Sequence, residues 1–177
     1  MPCRVGRHRG GGTVSALSRP APGVVLLLSG PNLQLLGERD PAVYGTARLA
    51  DHVERATAAA AERGLVLEHL QADAEADLVA AVHRARGRVA AIVVNAGALT
   101  HYGWALHDAL ATFAGPVVEL HLSNPEAREP WRRRSVIAPV ADGTIAGFGG
   151  LGYELAVVAA QQLLARPTPD GRPTLPS

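Results

Sequence analysis

Residues 24–32 of this chain read Val-Val-Leu-Leu-Leu-Ser-Gly-Pro-Asn, five consecutive aliphatic side chains followed directly by a polar segment. A strand that is covered on both faces of a sheet is apolar at consecutive positions, whereas apolar and polar residues alternate in a half-exposed strand. The segment therefore predicts a buried strand that ends in front of Ser29.

Four later segments share this aliphatic character and predict four more strands. The five predicted strands cover residues 24–28, 65–70, 89–94, 116–120 and 136–140. Apolar residues at helical spacing predict helices in the intervals between them. Apolar faces predict helices at residues 49–60, around 78–82, at 102–113 and at 153–164. Gly64 and Gly87 are the predicted stop residues of the first two helices.

Strands and helices that alternate with short connections predict a doubly wound α/β sandwich of three layers. For five parallel strands, the flavodoxin-like order 2-1-3-4-5 is the natural arrangement. A ligand of such a sheet lies beyond the carboxyl ends of the strands. The residues that follow each strand are therefore the first candidates for a site.

The 177 residues predict one domain with additional sequence at both ends. Residues 1–23 mix arginine with glycine, serine and proline without any period, which predicts a disordered arm. No apolar stretch typical of a secretory signal follows, so an over-extended start codon or a targeting arm remains open. Residues 167–177 contain four prolines and predict a disordered tail. The folded domain is expected over residues 24–166.

The composition excludes several functional classes. The protein has 47% hydrophobic and 19% charged residues and a net charge of +1, which argues against a strongly basic nucleic-acid surface. The longest aliphatic run is far shorter than the ~20 residues of a membrane span. All 17 basic residues are arginines, which excludes a Schiff-base lysine and a Walker-type phosphate loop. The single cysteine, Cys3, excludes an intrachain disulfide and fits a reducing, cytoplasmic setting.

Polar side chains cluster where three of the predicted strands end. They are Asn32, Arg39 and Tyr44 after the first strand, Asn95, Thr100 and His101 after the third, and Glu119, His121, Ser123, Asn124, Arg128 and Arg132 in and after the fourth. Because parallel strands end at one edge of the sheet, we expect these side chains to lie together.

Two pairs among them suggest proton transfer. A guanidinium such as Arg39 near the Tyr44 phenol stabilises phenolate, and the pair could make a base, although a loop tyrosine is more often a packing residue. Glu119 and His121 are two residues apart in a strand and so share a face, where the carboxylate could orient the imidazole and support its protonated form. A purely structural pair explains this spacing equally well.

Other candidates have plain structural explanations. His101 and Asp108 are seven residues apart, which predicts two turns along one helix face, but polar residues at a helix start in contact with solvent fit as well. The arginines at 128 and 132–134 are typical of a solvated face, with one or two directed inward. The remaining histidines, which lack a partner at metal spacing and receive no role, are His8, His52, His69, His83 and His107.

Residues 147–152 read Gly-Phe-Gly-Gly-Leu-Gly, a GxGxxG pattern in front of a helix. A dinucleotide fingerprint opens a βαβ unit with a second strand and an acidic residue about 20 positions later. Only one helix and the proline-rich tail follow here. A tight helix start near the site is therefore preferred, and a nucleotide-binding oxidoreductase is kept as the alternative function.

The sequence resembles the type II 3-dehydroquinate dehydratases, or type II dehydroquinases, over about residues 24–164. The stretches that carry the resemblance are Gly30-Pro31-Asn32-Leu33, residues 36–45, Asn95-Ala96-Gly97 with Thr100-His101, residues 119–124 continuing to Pro130, Ser135-Val136-Ile137, and Gly152-Tyr153. They occur in the order and with the spacing of the family.

The resemblance implies a role for each matching residue. Tyr44 takes a proton, Arg39 lowers the pKa of Tyr44, His121 protonates the leaving hydroxyl and Asn32 lies beside an enolate. The residues implied in substrate binding are Asn95, His101, Asp108 and Arg132 for the ring hydroxyls, and Leu122 and Ser123 for the carboxylate. The family needs no cofactor, acts on 3-dehydroquinate and generally assembles as dodecamers built from trimers.

The chain departs from the family pattern at a few positions. Ser29 and Gln34 stand where asparagines are common, Tyr102-Gly103 replace a more usual Thr-Ser or Tyr-Ser pair, and Pro125-Glu126 stand where a histidine often follows. None of these positions carries an implied catalytic role.

Overall fold

The computed structural model describes residues 23–38 and 46–166, which form a parallel sheet with helices on both faces. The strands are β1 (Gly23–Ser29), β2 (Leu65–Gln71), β3 (Ala91–Asn95), β4 (Val117–His121) and β5 (Gly143–Ala146). They pair in the order β2-β1-β3-β4-β5, and every neighbouring pair is parallel. The predicted order 2-1-3-4-5 is confirmed. Residues 1–22 of the predicted arm, the predicted tail, Arg39 and Tyr44 lie outside the described residues. Gly23, the last residue of that predicted arm, begins β1.

Within the described residues, three α-helices connect successive strands and a fourth follows β5. They are α1 (Leu49–Ala61), α2 (Glu75–Ala85), α3 (Trp104–Ala111) and α4 (Leu151–Leu164). Gly64 and Gly87, the predicted stops of the first two helices, have positive φ angles of 69° and 72°, which glycine adopts without strain. In the described part of the chain, no helix is both long and apolar enough to cross a bilayer.

The sheet separates two hydrophobic cores. On the α2/α3 face, these helices cover Leu26 and Ile92, and on the α1/α4 face the other two helices cover Leu27 and Val93. Successive side chains of a strand point to opposite faces, so the run 24–28 contributes to both cores. This double coverage explains why the strand is apolar at consecutive positions.

The predicted fifth strand at residues 136–140 is wrong. A short 3-10 helix occupies Ala138–Val140, and the edge strand β5 begins only at Gly143. Pro139 has no N–H to donate to a sheet ladder, while Val136 and Ile137 are buried in the α2/α3 core. The aliphatic character of the segment therefore reflects a loop that packs into the core.

The predicted helix at residues 102–113 is shorter in the structure, because Tyr102 and Gly103 have non-helical dihedral angles. A separate 3-10 helix, Gly97–His101, precedes α3. His101 and Asp108 therefore do not share a helix, and the predicted two-turn relation between them is wrong.

The glycine-rich segment 147–152 joins β5 to α4, as a tight helix start does. Gly147 and Gly149 have positive φ angles of 87° and 55°. Their N–H groups donate to the carbonyls of His121 and Leu122 at 3.3 and 2.9 Å, so the turn lies against the end of β4. The prediction of a tight helix start near the site is confirmed.

Candidate active site

A cavity opens at the carboxyl ends of β1, β3 and β4, the edge that the fold predicts for a ligand. Eight of the polar or implicated residues named from the sequence line it: Asn32, Asn95, His101, His121, Leu122, Ser123, Arg128 and Arg132. Glu119 lies behind the wall, and Asp108 is exposed on α3 away from the lining. The structure thus brings together most of the residues that the strand ends predicted.

His121 and Glu119 form an ion pair at the end of β4. The distance from Nε2 of His121 to Oε1 of Glu119 is 3.1 Å. Both residues belong to one strand with two-residue spacing, so their side chains share a face, as the sequence predicted. In the structure this is the α2/α3 face. Glu119 is fully buried, whereas His121 is partly exposed to the cavity.

Three hydroxyl groups complete the surroundings of the Glu119 carboxylate. Ser135 and Thr100 donate to Oε1 at 2.7 and 2.9 Å, and Thr144 donates to Oε2 at 3.3 Å. The oxygen of Ser135 is itself fixed, since it accepts the N–H groups of Ile137 and Ala138 at 3.0 and 2.9 Å.

Burial alone raises the pKa of the Glu119 carboxyl, but the hydrogen bond and the charge of His121, followed by the bonds from Ser135 and Thr100, hold it below its usual value. Glu119 is therefore ionised at neutral pH. The contact with this carboxylate fixes the orientation of the His121 ring. Sequence reasoning assigned no role to the three hydroxyl residues, because only the fold shows that they converge on Glu119.

Asn32 has a left-handed backbone, with φ 66° and ψ 2°, at the start of the 3-10 helix Leu33–Leu35. Its N–H donates to Oδ1 of Asp73 at 3.1 Å. The side-chain amides of Gln34 and Gln71 also donate to Asp73. The N–H of Asn32 and these two amides lower the pKa of Asp73. Asp73, which sequence reasoning missed, thus fixes the backbone of Asn32 at the cavity.

His101 lies at the end of its 3-10 helix and faces the cavity. Its Nδ1 donates to the carbonyl of Arg134 at 2.8 Å, since a carbonyl can only accept. The ring also contacts Trp131 edge-on, at 5.2 Å between centroids. These two contacts fix the orientation of the ring at the cavity wall.

Of the predicted basic run, Arg128 and Arg132 line the cavity. Nε of Arg132 donates to Glu129 at 2.9 Å, and its guanidinium lies 4.0 Å from the centre of the Trp131 ring. Arg133 and Arg134 are exposed and do not line the cavity. The expectation that one or two arginines point inward is confirmed.

Asn95 closes the α1/α4 side of the cavity, and it is almost fully buried. Its Oδ1 accepts the N–H of Gly97 at 3.3 Å, and its Nδ2 donates to the hydroxyl of Tyr153 at 3.2 Å. Among the described residues, no three histidine, cysteine or acidic side chains converge in a way that suits a metal ion.

The cavity combines an imidazole, which a buried carboxylate contacts from behind, with two asparagines and two arginines. This set suits acid-base chemistry on a small anionic ligand. The family model of class II dehydroquinases matches residues 23–161. The chain belongs to this family. The comparisons give no support to the nucleotide-binding oxidoreductase.

Individual relatives agree with the family match. A 3-dehydroquinate dehydratase of Desulforudis audaxviator is 51% identical over 142 residues, which cover 80% of this chain and 95% of the relative. The 3-dehydroquinate dehydratase 2 of Pseudomonas aeruginosa is 50% identical over 133 residues, which cover 75% and 90%. The crystal structure of the type II dehydroquinase from Propionibacterium acnes matches with a TM-score of 0.75 at 40% identity, over 78% of this chain and 96% of that one.

Proposed function

We propose that the chain removes water from 3-dehydroquinate to give 3-dehydroshikimate, a step of the shikimate pathway, through an enolate intermediate. Membership of the class II dehydroquinases supports this reaction. The observation in the structure that carries it is the His121–Glu119 pair at the cavity wall. The reaction breaks one C–H and one C–O bond and releases water, so it needs a base and an acid and no redox partner.

His121 acts as the acid. Because the Glu119 carboxylate can only accept, Nε2 of His121 carries a hydrogen towards it and Nδ1 is left for the substrate. In the protonated form of the ring, Nδ1 delivers a proton to the leaving hydroxyl. Protonation at this step matters because free hydroxide is a poor leaving group.

Asn32 stabilises the enolate. Removal of the proton next to the ketone places negative charge on the ketone oxygen, and a fixed donor at that oxygen lowers the barrier. The position of Asn32 at the cavity and the hydrogen bond of its backbone to Asp73 support this role.

Tyr44 is the base and Arg39 favours its phenolate form. This assignment rests on the family resemblance of residues 36–45, since both side chains lie outside the described residues.

The substrate is held by residues of the cavity wall. Asn95, His101 and Arg132 hold the ring hydroxyls, whereas the Leu122 N–H and the Ser123 hydroxyl hold the carboxylate. The common position of these residues along the cavity supports the assignment.

Asp108 serves the site of a neighbouring subunit, which accounts for its exposed position on α3 away from the cavity of its own chain. We assign the chain to a cytoplasmic dodecamer built from trimers, as the family resemblance implies. Light scattering should then give a mass near twelve times 18.4 kDa. A fully active monomer contradicts this assembly but leaves the reaction unaffected.

Addition of 3-dehydroquinate to the purified protein tests the reaction. The ultraviolet absorbance of the conjugated enone should rise without added NAD, and borohydride should not inactivate the enzyme because no lysine can form an imine. Tyr44→Phe should lose nearly all turnover, whereas Tyr102→Phe, the matched change at an exposed tyrosine, should keep it. Absence of the enone signal from the wild-type protein contradicts the proposed function.

A further inference from the structure

A chain of hydrogen-bonded side chains leads from the cavity wall to the outer edge of the sheet on the α1/α4 face. It consists of Asn95 on β3, Tyr153 on α4, Ser29 at the end of β1 and His69 on β2. Asn95 donates to Tyr153 at 3.2 Å, the Tyr153 and Ser29 hydroxyls are hydrogen-bonded, and Oγ of Ser29 lies 3.0 Å from Nε2 of His69. Only Asn95 among the four lines the cavity.

The direction of the two Asn95 hydrogen bonds follows from the backbone of Gly97. The N–H of Gly97 can only donate, so it faces Oδ1 of Asn95, and the NH2 group therefore faces Tyr153. The Tyr153 oxygen accepts from Asn95.

The Tyr153 ring is held in place independently of this chain. It is 1% exposed and stacks on the His52 ring, with 5.2 Å between centroids and an angle of 6° between planes. Burial raises the pKa of Tyr153 to about 12, although Asn95 and Ser29 act in the opposite direction. The phenol therefore keeps its proton throughout the neutral range and has no part in acid-base chemistry.

We infer that Tyr153 is a positioning residue for substrate binding: it fixes the Asn95 amide so that the second hydrogen of Nδ2 is left for a substrate hydroxyl. The inference rests on the proposed function, since that function makes Asn95 a substrate ligand. Without the Tyr153 hydroxyl, only the 3.3 Å bond from Gly97 distinguishes the two ends of the amide. The Asn95 side chain then loses one of its two fixed contacts, so part of the binding energy of the substrate is spent on ordering the amide, which weakens binding.

Steady-state kinetics of Tyr153→Phe with 3-dehydroquinate test the inference. We expect KM to rise about tenfold, the value of one good hydrogen bond, with kcat within about twofold of wild type. Tyr102→Phe, the same chemical change at an exposed position, should leave both constants unchanged. In an Asn95→Ala background, Tyr153→Phe should have no additional effect on KM, because the residue it positions is absent.

The outcomes separate the inference from the function. A wild-type protein without dehydratase activity contradicts the proposed function and the inference with it. An active wild type in which Tyr153→Phe keeps its KM, or raises it to the same extent with and without Asn95, contradicts the inference alone. If Tyr153→Phe does not fold, Ser29→Ala interrupts the same chain one residue further out. It should raise KM about two- to threefold, again only when Asn95 is present, and an unchanged KM contradicts the inference.

Discussion

The two faces of the sheet each carry a buried polar cluster behind the cavity, and the clusters differ in charge. On the α2/α3 face, Glu119 is ionised and paired with His121. On the α1/α4 face, Asn95 and Tyr153 form a neutral hydrogen bond. The charged cluster suits proton transfer, while the neutral cluster suits orientation of a ligand.

The acid of each cluster, Glu119 or Tyr153, is equally buried, so burial does not explain why only one of them is ionised. Glu119 is 0% and Tyr153 1% exposed, and burial raises the pKa of either acid. Glu119 nevertheless has a lowered pKa, because one of its donors is an imidazole whose charge adds to the hydrogen bonds. Tyr153 has only neutral partners and keeps a raised pKa of about 12. The charge of the partners therefore decides which buried acid ionises.

The largest effect is expected from His121→Gln, which removes the proposed acid from the charged cluster. We expect kcat to fall about a thousandfold, within the range of general acid catalysis, with a small change in KM. His83→Gln, at an exposed histidine outside the cavity, is the control. A variant at 121 that retains a tenth of the wild-type kcat contradicts the role of His121.

Glu119→Gln should have the next largest effect, because it keeps the shape of the side chain but removes the negative charge next to His121. We expect kcat to fall about thirtyfold, an intermediate loss for a residue that acts through His121. Glu62→Gln, at an exposed carboxylate, should leave kcat unchanged. If Glu119→Gln keeps the wild-type kcat, the charge of this cluster has no part in catalysis.

The dependence of Tm on pH tests the negative charge of Glu119 in the absence of substrate. A carboxyl whose pKa is lower in the folded than in the unfolded state stabilises the fold above its unfolded value of about 4.5, and this stabilisation is lost as pH falls through the folded value. The Tm of the wild type should therefore fall more steeply than that of Glu119→Gln between roughly pH 5 and pH 3. In Tyr153→Phe, which changes the neutral cluster, the Tm should fall with pH as steeply as in the wild type. Equal slopes for wild type and Glu119→Gln contradict the lowered pKa.

Removal of single hydroxyl groups around Glu119 should cause the smallest losses of stability and kcat. A shorter hydrogen bond to Glu119 should give the larger loss. Ser135→Ala removes a 2.7 Å bond and leaves two N–H groups without their acceptor, so it should cost about 1 to 2 kcal/mol of stability and a few-fold in kcat. Thr144→Val removes only a 3.3 Å bond and should cost less than about 0.5 kcal/mol. Denaturant unfolding measures both, and the reverse ranking contradicts the role given to Ser135.

The sequence predicted the parts of this comparison that depend on local periodicity. Alternating strands and helices predicted the sheet order, and the two-residue spacing of Glu119 and His121 predicted their common face. The position of β5 could not be predicted this way, because the aliphatic residues at 136–140 pack as a loop while the edge strand is half exposed.

The neutral cluster could not be predicted because it depends on contacts between distant parts of the chain. Asn95 and Tyr153 are 58 residues apart, and their contact requires α4 to pack across β3. The same holds for Asp73, whose contact with Asn32 joins the end of β2 to the end of β1. Strand ends indicated which residues reach the cavity, but not which residues hold them there.

Parallel measurement of the dehydration rate against 3-dehydroquinate concentration for Glu119→Gln and Tyr153→Phe tests most directly whether the two faces divide catalysis from binding. The charged cluster should affect turnover, so Glu119→Gln should lower kcat and leave KM near that of the wild type. The neutral cluster should affect binding, so Tyr153→Phe should raise KM and leave kcat near that of the wild type. If both variants lower kcat equally at unchanged KM, the two clusters do not divide these functions.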